Sequence, residues 1–445
     1  MVEQTITVVG GGLAGSEAAW RIARCGLKVR LYEMRPVRGT AVHRTGNLAE
    51  LVCSNSLKSM ALSSAHGLLK EEMKKLGSLI VECATECRVP AGQALAVDRD
   101  AFAEAVTHAL EAEPNVTIVR EEVREIPDGI VILGVGPLVS ESLAASIARF
   151  TGEDYLYFYD AISPVILADS IDQSVVFAAS RYGKGGDDYL NCPMSGEEYD
   201  RFLTALLDAE LVTLHEFDKT PFFEGCLPIE VMARRGRDTL RFGPMKPVGL
   251  TDPRTGRRAH AIVQLRQDNL AADHYSMVGF QTQLRWPEQK RILRMIPGLE
   301  SAEFARLGQI HRNCYINAPT VLLPDLQARK RPGLFFAGQI SGVEGYTESA
   351  ATGLLAGLNA ALIARGKSTR TLPPETMLGA LCRYISTTDS DKYQPTNAAF
   401  GLLPDPPAGI RKKKDRRLAR SARALKALET WIGEREEVVA TEKAP

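Results

Sequence analysis

Thr5-Ile6-Thr7-Val8-Val9-Gly10-Gly11-Gly12-Leu13-Ala14-Gly15 decides the fold of this chain. The first five residues form a β-branched, strand-forming run. The glycines then fall at G-x-G-x-x-G spacing, and Ser16-Glu17-Ala18-Ala19-Trp20-Arg21-Ile22-Ala23 reads on as a small-residue helix. A second strand, Lys28-Val29-Arg30-Leu31-Tyr32-Glu33, ends in an acid. Strand, glycine turn, helix, strand and acid together make the βαβ fingerprint of dinucleotide binding. Gly10 allows the tight turn, Gly12 lets backbone approach a pyrophosphate, and Gly15 lets helix and strand pack closely. Gly11, Leu13 and Ala14 complete a cradle whose helix N-terminus faces the phosphates. Glu33 stands where a carboxylate holds ribose hydroxyls.

Working outward, Gly333-Leu334-Phe335-Phe336-Ala337-Gly338-Gln339 reads as a buried strand entering a glycine turn. A helix of small residues follows, with Ser349-Ala350-Ala351-Thr352-Gly353. Many flavoproteins close an FAD site with such a late strand-turn-helix, so Gly338 and Gln339 are expected at the cofactor. Packing of a close helix pair is the alternative use of the same residues. Gly129 to Pro137 reads as the middle strand and glycine turn of the same fold. The expectation is an α/β chain: a Rossmann-like, glutathione-reductase-like FAD-binding domain with an inserted α/β domain. Residues 1–150 and 326–445 are assigned to the FAD-binding domain and 151–325 to the insertion. The proline-rich region from Thr371 to Pro407 is expected to be irregular. The tail after Ile410 is expected as a basic helix with Leu418, Ala422, Leu425 and Leu428 at helical spacing.

Composition bounds the function class. At 445 residues the chain has room for two domains or one large interrupted one. Lysine plus arginine equals aspartate plus glutamate, 54 each, which argues against broad non-specific nucleic-acid binding but leaves room for local basic faces. Such faces occur at Arg234 to Lys246, Arg254 to Arg258, Arg285 to Arg294 and Arg411 to Arg423. No apolar run approaches the ~18 residues of a membrane span, so no membrane partner is expected. The first strand begins so early that no targeting peptide is read, and a cytoplasmic protein is expected. The eight cysteines make no paired C-x-x-C spacing, so neither a zinc site nor a disulfide framework is expected.

Two of the cysteines have flanks that fit chemistry. Phe222-Phe223-Glu224-Gly225-Cys226-Leu227-Pro228-Ile229-Glu230 puts Cys226 just before a helix that Pro228 opens. A helix N-terminus and the following Arg234, Arg235 and Arg237 favour a thiolate, which a nucleophilic cysteine needs because a free thiol has a pKa of ~8.5. Cys53 sits in Glu50-Leu51-Val52-Cys53-Ser54-Asn55-Ser56, where serine or asparagine would cap a following helix. Burial in the core is the competing reading for both, since free cysteine is among the most buried residue types.

Four blocks resemble the folate- and FAD-dependent tRNA uracil-5-methyltransferases, short relatives of the glucose-inhibited division protein. They are Glu50 to Ser56, Phe223 to Gly236, Thr239 to Leu250, and Gly338 to Tyr346. The chain departs from the family pattern at Gly134-Val135-Gly136, where Ala-Thr-Gly is usual, and at Cys314, where threonine is usual. The resemblance implies methylation of the T-loop uridine of tRNA, conventionally position 54, with methylenetetrahydrofolate as methylene donor. It also implies FAD reduced by NADH or NADPH, so the expected partners are tRNA, folate and a nicotinamide nucleotide. Carried over to this chain, Cys226 is the nucleophile on uridine C6 and Cys53 the general base. Arg234, Arg235, Arg237 and the basic tail are expected on tRNA phosphates, and His311, Asn313 and Tyr346 around the pterin. Three rivals stay open: an FAD-dependent wobble-uridine enzyme, a flavin thiol-disulfide oxidoreductase, and a flavin-bound RNA chaperone without turnover. The second is disfavoured by the sequence distance between Cys53 and Cys226.

Overall fold

Strand Ile6–Val9 runs into helix Leu13–Arg24 and returns as strand Val29–Tyr32, paired in parallel with the first. The computed structural model describes residues 5–40, 42–152, 156–212, 222, 224, 227–406 and 409–434. Five parallel strands form one sheet in the order Leu334–Phe336, Val131–Leu133, Ile6–Val9, Val29–Tyr32, Val116–Val119. The late strand therefore lies two places from the first, although more than 300 residues separate them in the chain. Strands buried on both faces read as near-continuous apolar runs, as Val131-Ile132-Leu133 and Leu334-Phe335-Phe336 do.

A second sheet of six antiparallel strands carries the middle of the chain. Its order is Phe177–Ala178, Tyr189–Met194, Ala261–Gln267, His274–Met277, Val165–Leu167, Phe304–Arg306. Helices Gly196–Leu207 and Trp286–Leu293 share its apolar core, which draws on residues between Ile166 and Ala302. The other core joins residues from Ile6 to Ile147 with residues from Cys314 to Trp431. The chain thus leaves one core, builds another and returns. Strands Leu156–Ala161 and Ile310–Tyr315 pair antiparallel at that exit and re-entry. The neck is tied back by Cys314 N to Pro137 O at 3.3 Å and Ile316 N to Ile340 O at 2.9 Å.

Two expectations need correction. The proline-rich region contains a full helix, Met377–Thr387, whose Thr376 side chain caps Gly379 N. Its prolines lie outside it in sequence, and Met377, Leu378, Leu381, Cys382 and Ile385 are all buried. Buried Glu72 reaches across to accept from Met377 N at 2.7 Å and Leu378 N at 2.9 Å, a borrowed cap for that helix. The tail helix spans Lys413–Gly433, but its inward stripe is Ser421, Ala424, Leu428 and Trp431. Ala422 and Leu418 face out. On that inward face Ser421 donates to Leu62 O at 2.6 Å and Trp431 Nε1 to Thr371 O at 3.1 Å.

Candidate active site

The glycine turn works by backbone contact. Gly10 has φ +100°, and a Cβ there would meet Gly134 O at 2.5 Å. A Cβ on Gly15 would stand 1.7 Å from Gly10 O, so the helix starts directly against the turn. A Cβ on Gly353 would stand 2.1 Å from Ala14 O, so helix Tyr346–Ala364 touches helix Leu13–Arg24 backbone to backbone. The late helix therefore serves both uses read from its small residues: it packs tightly, and its first turn reaches the glycine turn.

These elements wall a cavity of about 1060 Å³. Gly10, Gly12, Leu13, Ala14, Glu33, Gly338, Gln339 and Tyr346 line it, while Gly11 and Gly15 stand behind the wall. Beside Gly12 a Cβ would meet nothing within 4 Å, so bare backbone faces the space. Glu33 accepts from Gly11 N and from Arg35 Nε, each at 2.9 Å. Burial works to raise the Glu33 carboxyl, but the Arg35 guanidinium and the two backbone amides outweigh it and hold it below its usual range. Arg35 also grips Glu50 at 3.0 Å. Beside this pair, burial and the Arg35 charge push His43 down to about 4, so its imidazole is neutral.

A second cavity of about 1410 Å³ opens from the first, and Val52, Pro137, Leu138, Gln339, Tyr346 and Ser349 line both. Cys53 lines the second cavity with Asn313 and Tyr346. It does not lie at a helix start, as its flanks suggested, but in a loop leading to strand Ser56–Ser59. Ser54 and Asn55 are occupied elsewhere: Arg266 donates to Ser54 Oγ at 2.9 Å and to Asn55 Oδ1 at 2.8 Å. The helix that follows begins at Ala65 and is capped by Ser64. Tyr346 Oη accepts from Cys53 N at 2.8 Å and Ser54 N at 3.1 Å. Arg306 donates to Val52 O at 2.9 Å and Cys53 O at 3.2 Å. Burial and the charge of Asp160 push the Cys53 thiol up, against the pull of Arg99 and Arg306, so it stands protonated.

Some of this site left little trace in the sequence. Glu344 and Asp160 line the second cavity, and burial together with Asp160 pushes Glu344 well up, so it faces the space as a neutral acid. Lys58 lines it too, at φ +64°, a backbone conformation that non-glycine residues seldom take. Arg35 and His43 were equally missed in the first cavity, and Glu50 was singled out only as the start of a block, with no role. Glu344 lies inside a quoted block and Arg35 two residues past Glu33, which is the signal there was. Nothing local singles out Lys58 or Asp160.

Arg234, Arg235 and Arg237 do not reach either cavity. They are exposed on the inserted sheet's helical side, Arg235 paired with Glu224 at 2.6 Å and Arg237 with Asp200. Helix Ile229–Arg234 starts three residues after Cys226 in sequence, with Pro228 as its cap and not its first residue. Cys226 itself and the His311 side chain lie outside the described residues; the His311 backbone pairs with Asp160 across the neck. Among the described residues no group of three or more His, Cys, Asp or Glu is placed to hold a metal ion.

The family profile described as Glucose inhibited division protein A matches residues 5–368. A methylenetetrahydrofolate--tRNA-(uracil-5-)-methyltransferase TrmFO of Brevibacillus brevis is 57% identical over 435 residues, 98% of this chain and 100% of that protein. The chain belongs to this family. A second TrmFO, from Bacillus subtilis, is 55% identical over 430 residues, 97% of this chain and 99% of the relative. Among solved structures, GidA of Aquifex aeolicus in its form I crystal aligns with a TM-score of 0.71 at 20% identity, over 98% of this chain and 76% of that one. At that identity the likeness speaks for the fold alone.

Proposed function

We propose that this protein methylates C5 of a uridine in tRNA with the one-carbon unit of methylenetetrahydrofolate, with FAD bound in the first cavity and NADH or NADPH as reductant. Identity of 55–57% along nearly the whole chain to TrmFO enzymes carries this reading. The target is the T-loop uridine, conventionally position 54. The first cavity fits the cofactor: bare backbone at Gly10 and Gly12 suits a pyrophosphate, and ionised Glu33 suits ribose hydroxyls. Gly338, Gln339 and the first turn of helix Tyr346–Ala364 close it toward the second cavity. When bound, the flavin supplies the two electrons that take a methylene at the formaldehyde level to a methyl group.

The chain's own residues handle the uridine. Cys226 adds its thiolate to C6, and the C5=C6 electron pair becomes available at C5 for the new carbon bond. Cys53 then takes the C5 proton, the double bond re-forms and Cys226 departs as thiolate. Since Cys53 is held as a thiol in the free cleft, it must lose its proton before it serves as that base. Asn313, His311 and Tyr346 are assigned to the pterin. Arg234, Arg235, Arg237 and the basic tail helix are assigned to tRNA phosphates. Residues 1–150 and 326–445 form the cofactor domain in this reading, and 151–325 the tRNA-facing insertion. Among the described residues, no helix is long and apolar enough to cross a membrane.

The test is purified protein with unmodified tRNA transcript, labelled methylenetetrahydrofolate and NADPH, followed by nuclease mapping. Label is expected as 5-methyluridine in the T loop. Cys226→Ala is expected to abolish transfer while tRNA binding survives; retained transfer removes the nucleophile assignment, and label at the wobble position removes the substrate assignment.

A further inference from the structure

Glu344 lines the second cavity but has no part in the steps described so far. Its backbone is pinned. Glu344 N donates to Thr396 O at 2.8 Å, and the chain turns on either side of it at Gly342, φ +84°, and Gly345, φ +116°. Its side chain is held as well, because Gln339 Nε2 donates to Oε2 at 2.5 Å. Burial keeps the carboxyl protonated, so Oε1 carries the acidic hydrogen. Gln339 lines both cavities and Glu344 the second, which sets the acid at their junction. Glu344 is also close enough to Cys53 that its charge, when present, raises the thiol. The charged groups facing it come from three elements. Asp160 of strand Leu156–Ala161 and Glu348 of helix Tyr346–Ala364 favour the protonated form, and Lys58 of strand Ser56–Ser59 opposes them.

We propose that Glu344 is the general acid that frees the one-carbon unit of the folate, and that its carboxylate then takes the proton of Cys53. This rests on the activity proposed above and adds a catalytic residue to it. In methylenetetrahydrofolate the carbon is bridged between two nitrogens, and a nitrogen leaves such a carbon readily only when it is protonated. As Glu344 Oε1–H passes its proton to one bridge nitrogen, that C–N bond breaks and its electron pair stays on the departing nitrogen. The lone pair of the other nitrogen forms a second bond to the carbon, which becomes the electrophile that uridine C5 attacks. The Glu344 carboxylate then accepts the Cys53 proton, which is the deprotonation that Cys53 needs before it serves as base. Cys53 thiolate next takes the C5 proton. Both side chains are thereby back in their starting states, and the proton lost from C5 is balanced by the one gained by the folate. The position suits the task, since the carbon must meet uridine C5 on the Cys53 side and reducing electrons from the side of the first cavity.

The test compares wild type, Glu344→Gln and Glu344→Asp as full-length, FAD-loaded protein with unmodified tRNA transcript, labelled methylenetetrahydrofolate and NADPH, across pH. Glu344→Gln keeps an acceptor for Gln339 and removes the acidic hydrogen. It is expected to lower kcat by about 10²–10⁴-fold, while FAD content and the Kd for tetrahydrofolate from equilibrium dialysis stay within about threefold of wild type. Glu344→Asp keeps an acid at shorter reach and is expected to recover part of the loss. An acid acts in its protonated form, so wild-type kcat is expected to fall as pH rises past the Glu344 ionisation, and the residual Glu344→Gln rate to lack that fall. Wild-type kcat in Glu344→Gln overturns the proposal, as does a residual rate that keeps the alkaline fall. Folate affinity lost in proportion to rate makes Glu344 a binding contact and also overturns it. If Glu344→Gln fails to hold FAD, Glu344→Asp decides: transfer at background level overturns the acid, and partial transfer with the alkaline fall supports it. Wild-type protein that methylates no tRNA fails the underlying activity instead, and the acid falls with it.

Discussion

Cys53 shows how far one residue's chemistry depends on what holds it. Its loop has no regular secondary structure, yet its backbone is tied on both sides, by Tyr346 Oη on the amides and by Arg306 on the carbonyls. Tyr346 comes from the cofactor-side helix and Arg306 from the inserted sheet, so the thiol is placed by two lobes at once. Tyr346→Phe keeps the ring and removes the acceptor, leaving two amides without it, at a cost of about 1–3 kcal/mol. Loss of loop position is expected to lower kcat for methyl transfer by up to about 10²-fold, with FAD content unchanged. Faster alkylation of Cys53 by iodoacetamide would report the same loosening. Wild-type kcat in Tyr346→Phe would show that the Arg306 side alone positions the loop. The block from Gly338 to Tyr346 announced Tyr346 as a site residue, but not this hold on Cys53, because hydrogen bonds between residues almost 300 positions apart leave no local pattern.

At the scale of elements, most of what was legible came from periodicity and turn chemistry. The G-x-G-x-x-G turn, the apolar run at Leu334–Phe336 and the small-residue helix after it were readable because each needs particular residue types at short spacing. Helix Met377–Thr387 was lost behind the prolines that flank it, although its own stretch carries helical spacing. The mistaken helix start at Cys53 came from reading Ser54 and Asn55 as caps, when their partners are Arg266, Val97 and Gln267 from distant strands. The contact between helices Leu13–Arg24 and Tyr346–Ala364 gives the sharpest element-level expectation. Gly353→Ala places a methyl 2.1 Å from Ala14 O, a backbone atom that cannot yield without moving the cofactor-side turn. Destabilisation of about 1–3 kcal/mol is expected from overpacking, with FAD occupancy reduced in the purified protein. Absorbance near the flavin bands relative to protein, together with a thermal unfolding midpoint, reads both. A fully yellow protein of wild-type midpoint would show that the helix pair has slack.

The molecule as a whole hangs on buried carboxylates that cap helices across the first core. Glu17 accepts from Ser78 Oγ at 2.7 Å and from Leu79 N and Ile80 N at 3.0 Å, at the start of helix Leu79–Glu86. Glu72 does the same for helix Met377–Thr387, joining chain segments some 300 residues apart. Burial outweighs these hydrogen bonds and pushes Glu17 from 4.5 to about 7 and Glu72 to about 8. A carboxyl raised in this way keeps its proton in the folded state where the unfolded chain has released it. The stability it confers is therefore complete below the unfolded value of 4.5 and is lost as pH rises through about 7 and about 8. Glu348 behaves oppositely: burial works against it, but His66 and Lys58 bring it down to about 2. Its contribution is present above 4.5 and fails only toward that acid limit, outside the range in question. Urea unfolding of the wild type is thus expected to weaken between pH 5 and 8, by on the order of 1 kcal/mol per pH unit for each carboxyl while it is titrating. Glu17→Gln with Glu72→Gln removes both protons from the balance and is expected to make that slope shallower, the remainder coming from other carboxyls that burial also pushes up, Glu344 and Glu230. A wild-type midpoint constant from pH 5 to 8 would mean that the helix amides hold both carboxyls ionised throughout, so that the caps and not burial decide their charge.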